Sequence, residues 1–288
     1  MSAREVLAGP LHEAARRAYL GLGEATAGLR LLPSFIMIGA SRCGTTSLFR
    51  TLLGHPQVMR APLHKGVNYF DLNYYRGMRW YQGHFPVAEV ARRQTARHGG
   101  PAAFEASGYY LYHPFALERL ARDLPETKLV VMLRDPVERA YSAWKHEYAR
   151  GFEQESFERA LDLEDERLAG EVDRMREDIR YESLPHRHHS YRHRGHYAEQ
   201  LERAFALFPP GQVHVVSSEA YFAEPAGEYT ALLDFLRLRR HEPAMFRQVN
   251  GRPGESMPVK TRQMLEEYYA PHDERLAKLL GTPLRWQR

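Results

Sequence analysis

Between Phe35 and Leu52 the chain reads FIMIGASRCGTTSLFRTL. The residue types in the middle of this stretch are those that hold an anion. Gly39 and Gly44 let the backbone approach a ligand closely. Arg42 brings a positive charge, and Thr45, Thr46 and Ser47 bring hydroxyl donors. The apolar run stops at Gly39, and helical spacing of Leu48, Phe49, Leu52 and Leu53 follows. A strand, a loop of small residues and a helix start therefore come in order, and the free N–H groups of a helix N-terminus point at whatever the loop holds. The expected chemistry is capture of a phosphate or sulfate group by Ser41, Arg42, Cys43, Gly44, Thr45, Thr46 and Ser47.

The spacing from Gly39 to Gly44 matches the nucleoside-triphosphate loop GxxxxGK[ST], but Thr45 stands where that loop needs lysine. No acidic strand end offers itself as a magnesium ligand. An ATP-dependent small-molecule kinase is thus an alternative with little support. The dinucleotide fingerprint GxGxxG is absent from this stretch.

The elements that must position the loop can be read from the same pattern. Lys128 to Leu133 is a continuous β-branched and apolar run of the kind buried parallel strands use. It ends at Arg134-Asp135-Pro136, and a helix is expected from Val137 to about Arg150. Further strands are expected at Ala102 to Glu105 and Gln212 to Ser217, and helices at Tyr197 to Phe208 and Tyr229 to Leu236. Phe152 to Arg180 reads as charged and helical, and Lys260 to Leu280 as a helix broken at Pro271. Strands alternating with helices predict an α/β fold: three layers, a central mainly parallel sheet and a P-loop-like nucleotide-binding arrangement. Ligands in such sheets sit beyond the carboxyl ends of strands, where both the Gly39–Ser47 loop and the Arg134 turn fall. Residues 1–33 read as a helical lead-in that packs on the main domain, residues 34–288.

Bulk properties narrow the partners. The 288 residues carry 40 Lys and Arg against 36 Asp and Glu, a net charge of +4. That mild excess suits a small anionic ligand better than a nucleic-acid surface. One cysteine, Cys43, excludes an internal disulfide framework and a CxxC zinc site. No apolar run reaches membrane-spanning length and no secretory segment opens the chain, so a cytoplasmic location is expected.

The stretch Gly39-Ala40-Ser41-Arg42-Cys43-Gly44-Thr45-Thr46-Ser47-Leu48 resembles the 5′-phosphosulfate loop of sulfotransferases that use 3′-phosphoadenosine 5′-phosphosulfate, PAPS. Leu133 to Ser142, LRDPVERAYS, resembles that family's strand–helix motif for the 3′-phosphate, which uses the residues at Arg134 and Ser142. The likeness runs from about Ser34 to Trp286 and is nearest to the heparan-sulfate-type branch and its bacterial relatives. It implies transfer of a sulfuryl group from PAPS, without a metal, to a hydroxyl or amine of a carbohydrate or specialised metabolite. It also implies a second phosphate-contacting loop at Asn250, Gly251 and Arg252. Arg42 occupies the place of the family's usual lysine and keeps the charge without a proton to give.

The general base departs from the family. A Lys-Glu pair opens the acceptor segment in that branch, with glutamate as the base; here the pair is Lys65-Gly66. The family's histidine two residues on is Asn68, its aspartate is retained as Asp71, and the lysine of its Glu-Lys-Ser motif is Ala106. Candidate catalytic residues are Arg42, Lys65, Asp71 and His64, with Glu105 and a histidine of the 186–196 patch as further bases. That patch, with arginines at 187, 192 and 194, reads as a mobile basic flap rather than a metal site. The aromatic stretch Tyr74 to Phe85 reads mainly as core. The alternative to an enzyme is a non-catalytic PAPS-binding relative, suggested by Gly66 and Ala106.

Overall fold

The computed structural model of the chain describes residues 3–246 and 256–286. Five strands form one sheet: β1 (Phe35–Gly39), β2 (Val58–Arg60), β3 (Ala102–Ala106), β4 (Lys128–Leu133) and β5 (Val213–Ser217). Their order is β2-β3-β1-β4-β5, and every pair is parallel. All residues of β1 and β3 are buried, as are all but the first of β4. Successive strand residues point to opposite faces, so burial of consecutive residues means both faces are covered by helices. This is the three-layer α/β architecture expected, with the sheet wholly parallel.

Phe35 pairs with Phe104 on one side and Lys128 on the other, and the Phe35 and Phe104 rings stack at 4.9 Å. Burying one such ring contributes about 1.5–3 kcal/mol. The strand order also fixes where a ligand can sit. After β1 the chain moves to β2, at one edge; after β4 it moves to β5, at the other. Adjacent strands that send their connections in opposite directions leave a crevice beyond their carboxyl ends. The β1 loop and the Arg134 turn border that crevice.

Three expectations need correction. The stretch after Phe152 is three short helices, Phe157–Asp162, Glu164–Leu168 and Glu171–Glu177, rather than one. The last helix runs unbroken over Val259–Leu280 with Pro271 inside it. The 184–196 segment is not a loose flap: His186, His188, Ser190, Tyr191 and Gly195 are buried. Two of its histidines, His186 and His188, fill the interior instead of covering it, while His189, His193 and His196 are part-exposed. The lead-in helix Ala3–Ala25 approaches helix Gly77–Gln82 so closely that a Cβ on Gly23 would lie 2.4 Å from the Gly83 carbonyl oxygen. The aromatic stretch joins the core, with Tyr81 stacked on Tyr69 at 4.7 Å and Phe85 fully buried. Among the described residues, no helix is long and apolar enough to cross a membrane.

Candidate active site

The loop after β1 is held open by its glycines and hydroxyls. Gly44 caps helix Thr45–Leu52 with φ of 88°, a backbone state side chains rarely adopt, and a Cβ there would meet the Phe222 ring at 2.9 Å. The Ser47 N–H already donates to the Gly44 carbonyl at 2.9 Å, which leaves the Thr45 and Thr46 N–H groups at the helix start to face an anion. Ser41 Oγ donates to the Gly108 carbonyl at 2.9 Å, tying the loop to the segment after β3. Cys43, expected among the ligand-contacting residues, turns inward. Its thiol is buried 3.5 Å from the Tyr197 hydroxyl, and burial pushes its pKa up to about 11. Only its backbone remains for a ligand.

Lys65 reaches the same loop from the segment before β3. Its Nζ donates to Thr45 Oγ1 at 3.2 Å and Thr46 Oγ1 at 3.0 Å. Burial, then Arg42 and Arg50, lower its pKa to about 8. Hydroxyls solvate this ammonium but do not neutralise it, so an anion in the loop would relieve its electrostatic cost.

The second border is built at the end of β4. Asp135 caps helix Pro136–Ala149 by accepting from the Val137 N–H at 2.9 Å, and Pro136 preorganises its first turn. Glu219, just past β5, accepts from the Asp135 N–H at 2.9 Å and locks the two strand ends together. Arg134 is part-exposed and pairs with Glu138 at 3.4 Å. One face of this helix turns to the β1 loop: Arg42 Nε donates to Ser142 Oγ at 3.3 Å, and its NH1 lies 3.4 Å from His146 Nδ1. Residues 100 positions apart thereby meet across the crevice.

A cleft of about 230 Å³ opens beside Arg42, lined among others by Ser41, Asn68, His146, Glu147 and His188. His188 Nδ1 lies 2.9 Å from Glu147 Oε2, and its ring stacks flat on Phe152 at 4.2 Å. Burial raises the Glu147 pKa, but His188, Arg150 and His146 outweigh it and leave the carboxyl below its ordinary value. Sequence reading passed over His146 and Glu147. The available signal was helical spacing, since His146 is one turn beyond Ser142 on the same face.

The remaining candidates are distributed differently. His64 lies 3.1 Å from Arg16 of the lead-in helix, and burial with that arginine lowers its pKa. It is not a lining residue of the cleft. Asp71 is buried, and its Oδ1 accepts from the Leu72 N–H, leaving Oδ2 with no partner. Burial is the main cause of its pKa rising to about 7. Glu105 is committed to structure: its carboxylate accepts from the Val67 N–H and from Ser107, Tyr81 and Tyr110 hydroxyls, at 2.6 to 2.9 Å. Gly66 has no room for the family's glutamate, because a Cβ would fall 2.5 Å from Ser107 Oγ and 2.6 Å from the Ala106 carbonyl oxygen. Asn250, Gly251 and Arg252 lie outside the described residues.

A family model for the sulfotransferase domain matches residues 32–251. The chain belongs to the sulfotransferase domain family. The chain is 28% identical to heparan sulfate glucosamine 3-O-sulfotransferase 3B1 of Mus musculus, over 90% of this chain and 66% of that protein. It is 28% identical to the bifunctional heparan sulfate N-deacetylase/N-sulfotransferase 3 of Homo sapiens, over 89% of this chain and 31% of that protein. It thus spans two thirds or less of the length of these relatives. Among solved structures, a sulfotransferase from Alicyclobacillus acidocaldarius superposes with a TM-score of 0.66 at 29% identity, covering 88% of this chain and 98% of that one.

Proposed function

We propose that the protein transfers a sulfuryl group from PAPS to a hydroxyl or amine of a carbohydrate or specialised metabolite. The observation that carries this reading is the junction of the β1 loop with the helix after β4, where Arg42 meets Ser142 at 3.3 Å. It brings the two phosphate-type motifs into one crevice at the switch point of the sheet. Family membership supports the reaction, and the heparan sulfate relatives support a carbohydrate acceptor.

PAPS supplies the sulfuryl group already attached to a bisphosphate leaving group. The loop N–H groups and the hydroxyls of Thr45 and Thr46 hold its sulfated end, and Arg134 with Ser142 hold the 3′-phosphate. Arg42 and Lys65 stabilise the charge that develops as the leaving oxygen departs. Their roles differ: Lys65, with a pKa near 8, can hold or release a proton around neutral pH, whereas Arg42 supplies charge only. For the base, His188 fits best. With its Nδ1–H donating to Glu147, its Nε2 keeps the lone pair that accepts the acceptor's proton, and the carboxylate stabilises the imidazolium formed.

Calorimetry with 3′-phosphoadenosine 5′-phosphate tests the binding half. We expect saturable binding that weakens at least about tenfold in Arg134→Ala, the loss of one charge-assisted contact. No binding by the wild type, or binding unchanged in that variant, refutes the proposal. A second reading rests on Gly66, which leaves the family's base position empty. It expects the same nucleotide binding with no transfer of labelled sulfate to any acceptor in a broad panel.

A further inference from the structure

Tyr75 stands in the 3-10 turn Tyr74–Arg76 with 42% of its surface exposed. Two arginines from distant segments rest on its ring, Arg76 with its guanidinium carbon 5.5 Å from the centroid and Arg180 with its own at 5.2 Å. Arg76 also lies over Trp80 at 5.1 Å. Both arginines are exposed, and among the described residues neither forms an ion pair. The acidic groups nearby serve other partners. Asp178 accepts from the Arg180 backbone N–H at 2.8 Å, Glu182 pairs with Arg187, and Asp123 accepts from the Tyr74 hydroxyl at 3.3 Å. Two like charges held on one ring repel each other, and an anion between them would remove that cost.

The neighbouring surface continues the same pattern. Arg119 lies over the Tyr74 ring at 4.8 Å and the Phe115 ring at 5.6 Å, and Arg176 lies over Phe115 at 5.7 Å. These two are already engaged: Arg119 donates to the Phe70 and Asp71 carbonyls, and Arg176 pairs with Asp173. They add positive field around Tyr75, while Arg76 and Arg180 keep their N–H groups for a ligand. Stacking on an aromatic face fixes the plane of a guanidinium and leaves its fork of donors open, which suits the paired oxygens of a carboxylate or sulfate.

Both segments of this patch lead to the Arg42 cleft. Asn73, at the base of the Tyr75 turn, donates its N–H and its side-chain amide to the Asn68 carbonyl at 3.1 and 2.9 Å, and Asn68 lines the cleft. Arg187 also lines the cleft, and its partner Glu182 lies two residues beyond Arg180. Helix and turn geometry from Asn68 to Tyr75 separates the two by at most about 14 Å. We propose that Tyr75, Arg76 and Arg180 form an acceptor subsite that holds a sulfate or carboxylate substituent of an acidic oligosaccharide whose reacting sugar occupies the Arg42 cleft. The subsite rests on the reading of a carbohydrate acceptor given above, and narrows it: a single sugar or a small metabolite cannot occupy both places at once.

The test measures binding of a heparan sulfate octasaccharide to the full chain by calorimetry, with and without saturating 3′-phosphoadenosine 5′-phosphate. Arg76→Gln and Arg180→Gln should each weaken it about 3–10-fold, the loss of one solvent-screened charge-assisted contact, and Arg180→Lys should recover part of that loss. Nucleotide affinity should stay at the wild-type value in all three variants, which checks that they fold. Polyglutamate and a neutral octasaccharide of glucose serve as comparison ligands, and the wild type should bind both more weakly than the acidic octasaccharide. No binding of the acidic octasaccharide, affinity unchanged in both Gln variants, or equally tight binding of polyglutamate overturns the proposal. A wild type that fails to bind the nucleotide refutes the sulfotransferase reading instead, and the octasaccharide measurements made without nucleotide still decide the subsite.

Discussion

Raising the pH should loosen the hold of the β1 loop on a bisphosphate, and Lys65 sets where this begins. Burial with two neighbouring arginines takes its pKa from 10.5 to about 8. That displacement penalises the charged form by roughly 3 kcal/mol. A bound anion adjacent to the Thr45 and Thr46 hydroxyls would restore the ordinary pKa by compensating the charge. Affinity is then nearly flat below pH 8 and falls about tenfold between pH 7 and pH 9, as the free protein loses a proton that the complex keeps. The ligand's phosphates ionise near pH 6 and add nothing across this window. Arg42 is also silent there. Calorimetry of 3′-phosphoadenosine 5′-phosphate from pH 7 to 9.5, in buffers of different ionisation enthalpy, should reveal proton uptake on binding that peaks above pH 8. Lys65→Met should bind about 10–100-fold more weakly at pH 7, the loss of one charge-assisted contact, and show no such slope. A flat profile in the wild type, or the same slope in Lys65→Met, refutes the argument. The free protein offers an independent check on the sign. Between pH 8 and 10.5 the unfolded chain binds the proton that the native one has lost, so the Lys65 contribution to stability rises with pH in that window.

Replacing His188 with Gln should cut sulfate transfer about 10²–10⁴-fold while leaving nucleotide affinity unchanged, measured as labelled donor turnover on any acceptor the wild type accepts. Glu147→Gln should cut transfer about tenfold or more while leaving nucleotide affinity unchanged, because the imidazolium formed at His188 loses its counter-charge; unaltered turnover excludes the pair. Glu105→Leu should cost about 3 kcal/mol or more in denaturant unfolding, since buried tyrosine hydroxyls and the Val67 N–H lose their acceptor. Gly66→Glu, which restores the family residue, should destabilise by about 1–3 kcal/mol and fail to raise activity, because the side chain collides with Ser107 and Ala106.

Legibility followed the range of the forces involved. The β4 run KLVVML could be read because a strand covered on both faces must be apolar throughout, and its observed bounds are those expected. The β1 loop could be read because backbone approach to an anion restricts residue types locally. Side-chain direction could not. Cys43 sits between loop residues expected to face a ligand, yet Tyr197, 154 positions away, draws its thiol inward. Glu105 looked like a candidate base until four donors, two of them 24 and 38 positions away, accounted for its carboxylate. The histidine segment misled because several polar residues in it and in the charged 152–180 stretch before it are satisfied internally. Glu153 is buried against Arg167 and Tyr191, and Glu164 against the N–H groups of Arg192 and His193. Composition registers such residues as solvent-facing because it carries no information about their partners.

The strand order also has a consequence for how the chain comes to exist. The central strand β1 is made early but pairs with β3, which begins at Ala102, and with β4, which begins at Lys128, rather than with β2. As the chain leaves the ribosome, FIMIG emerges with both edges bare and waits for some 67 residues, from Phe35 to Ala102, before its first neighbour is synthesised. At elongation rates of about 5–20 residues per second that is several seconds of exposure for an apolar segment. Slow codons or low temperature during expression would lengthen this vulnerable interval, and yield in the soluble fraction should depend on holdase chaperones that shield an unpaired strand until the sheet can close around it.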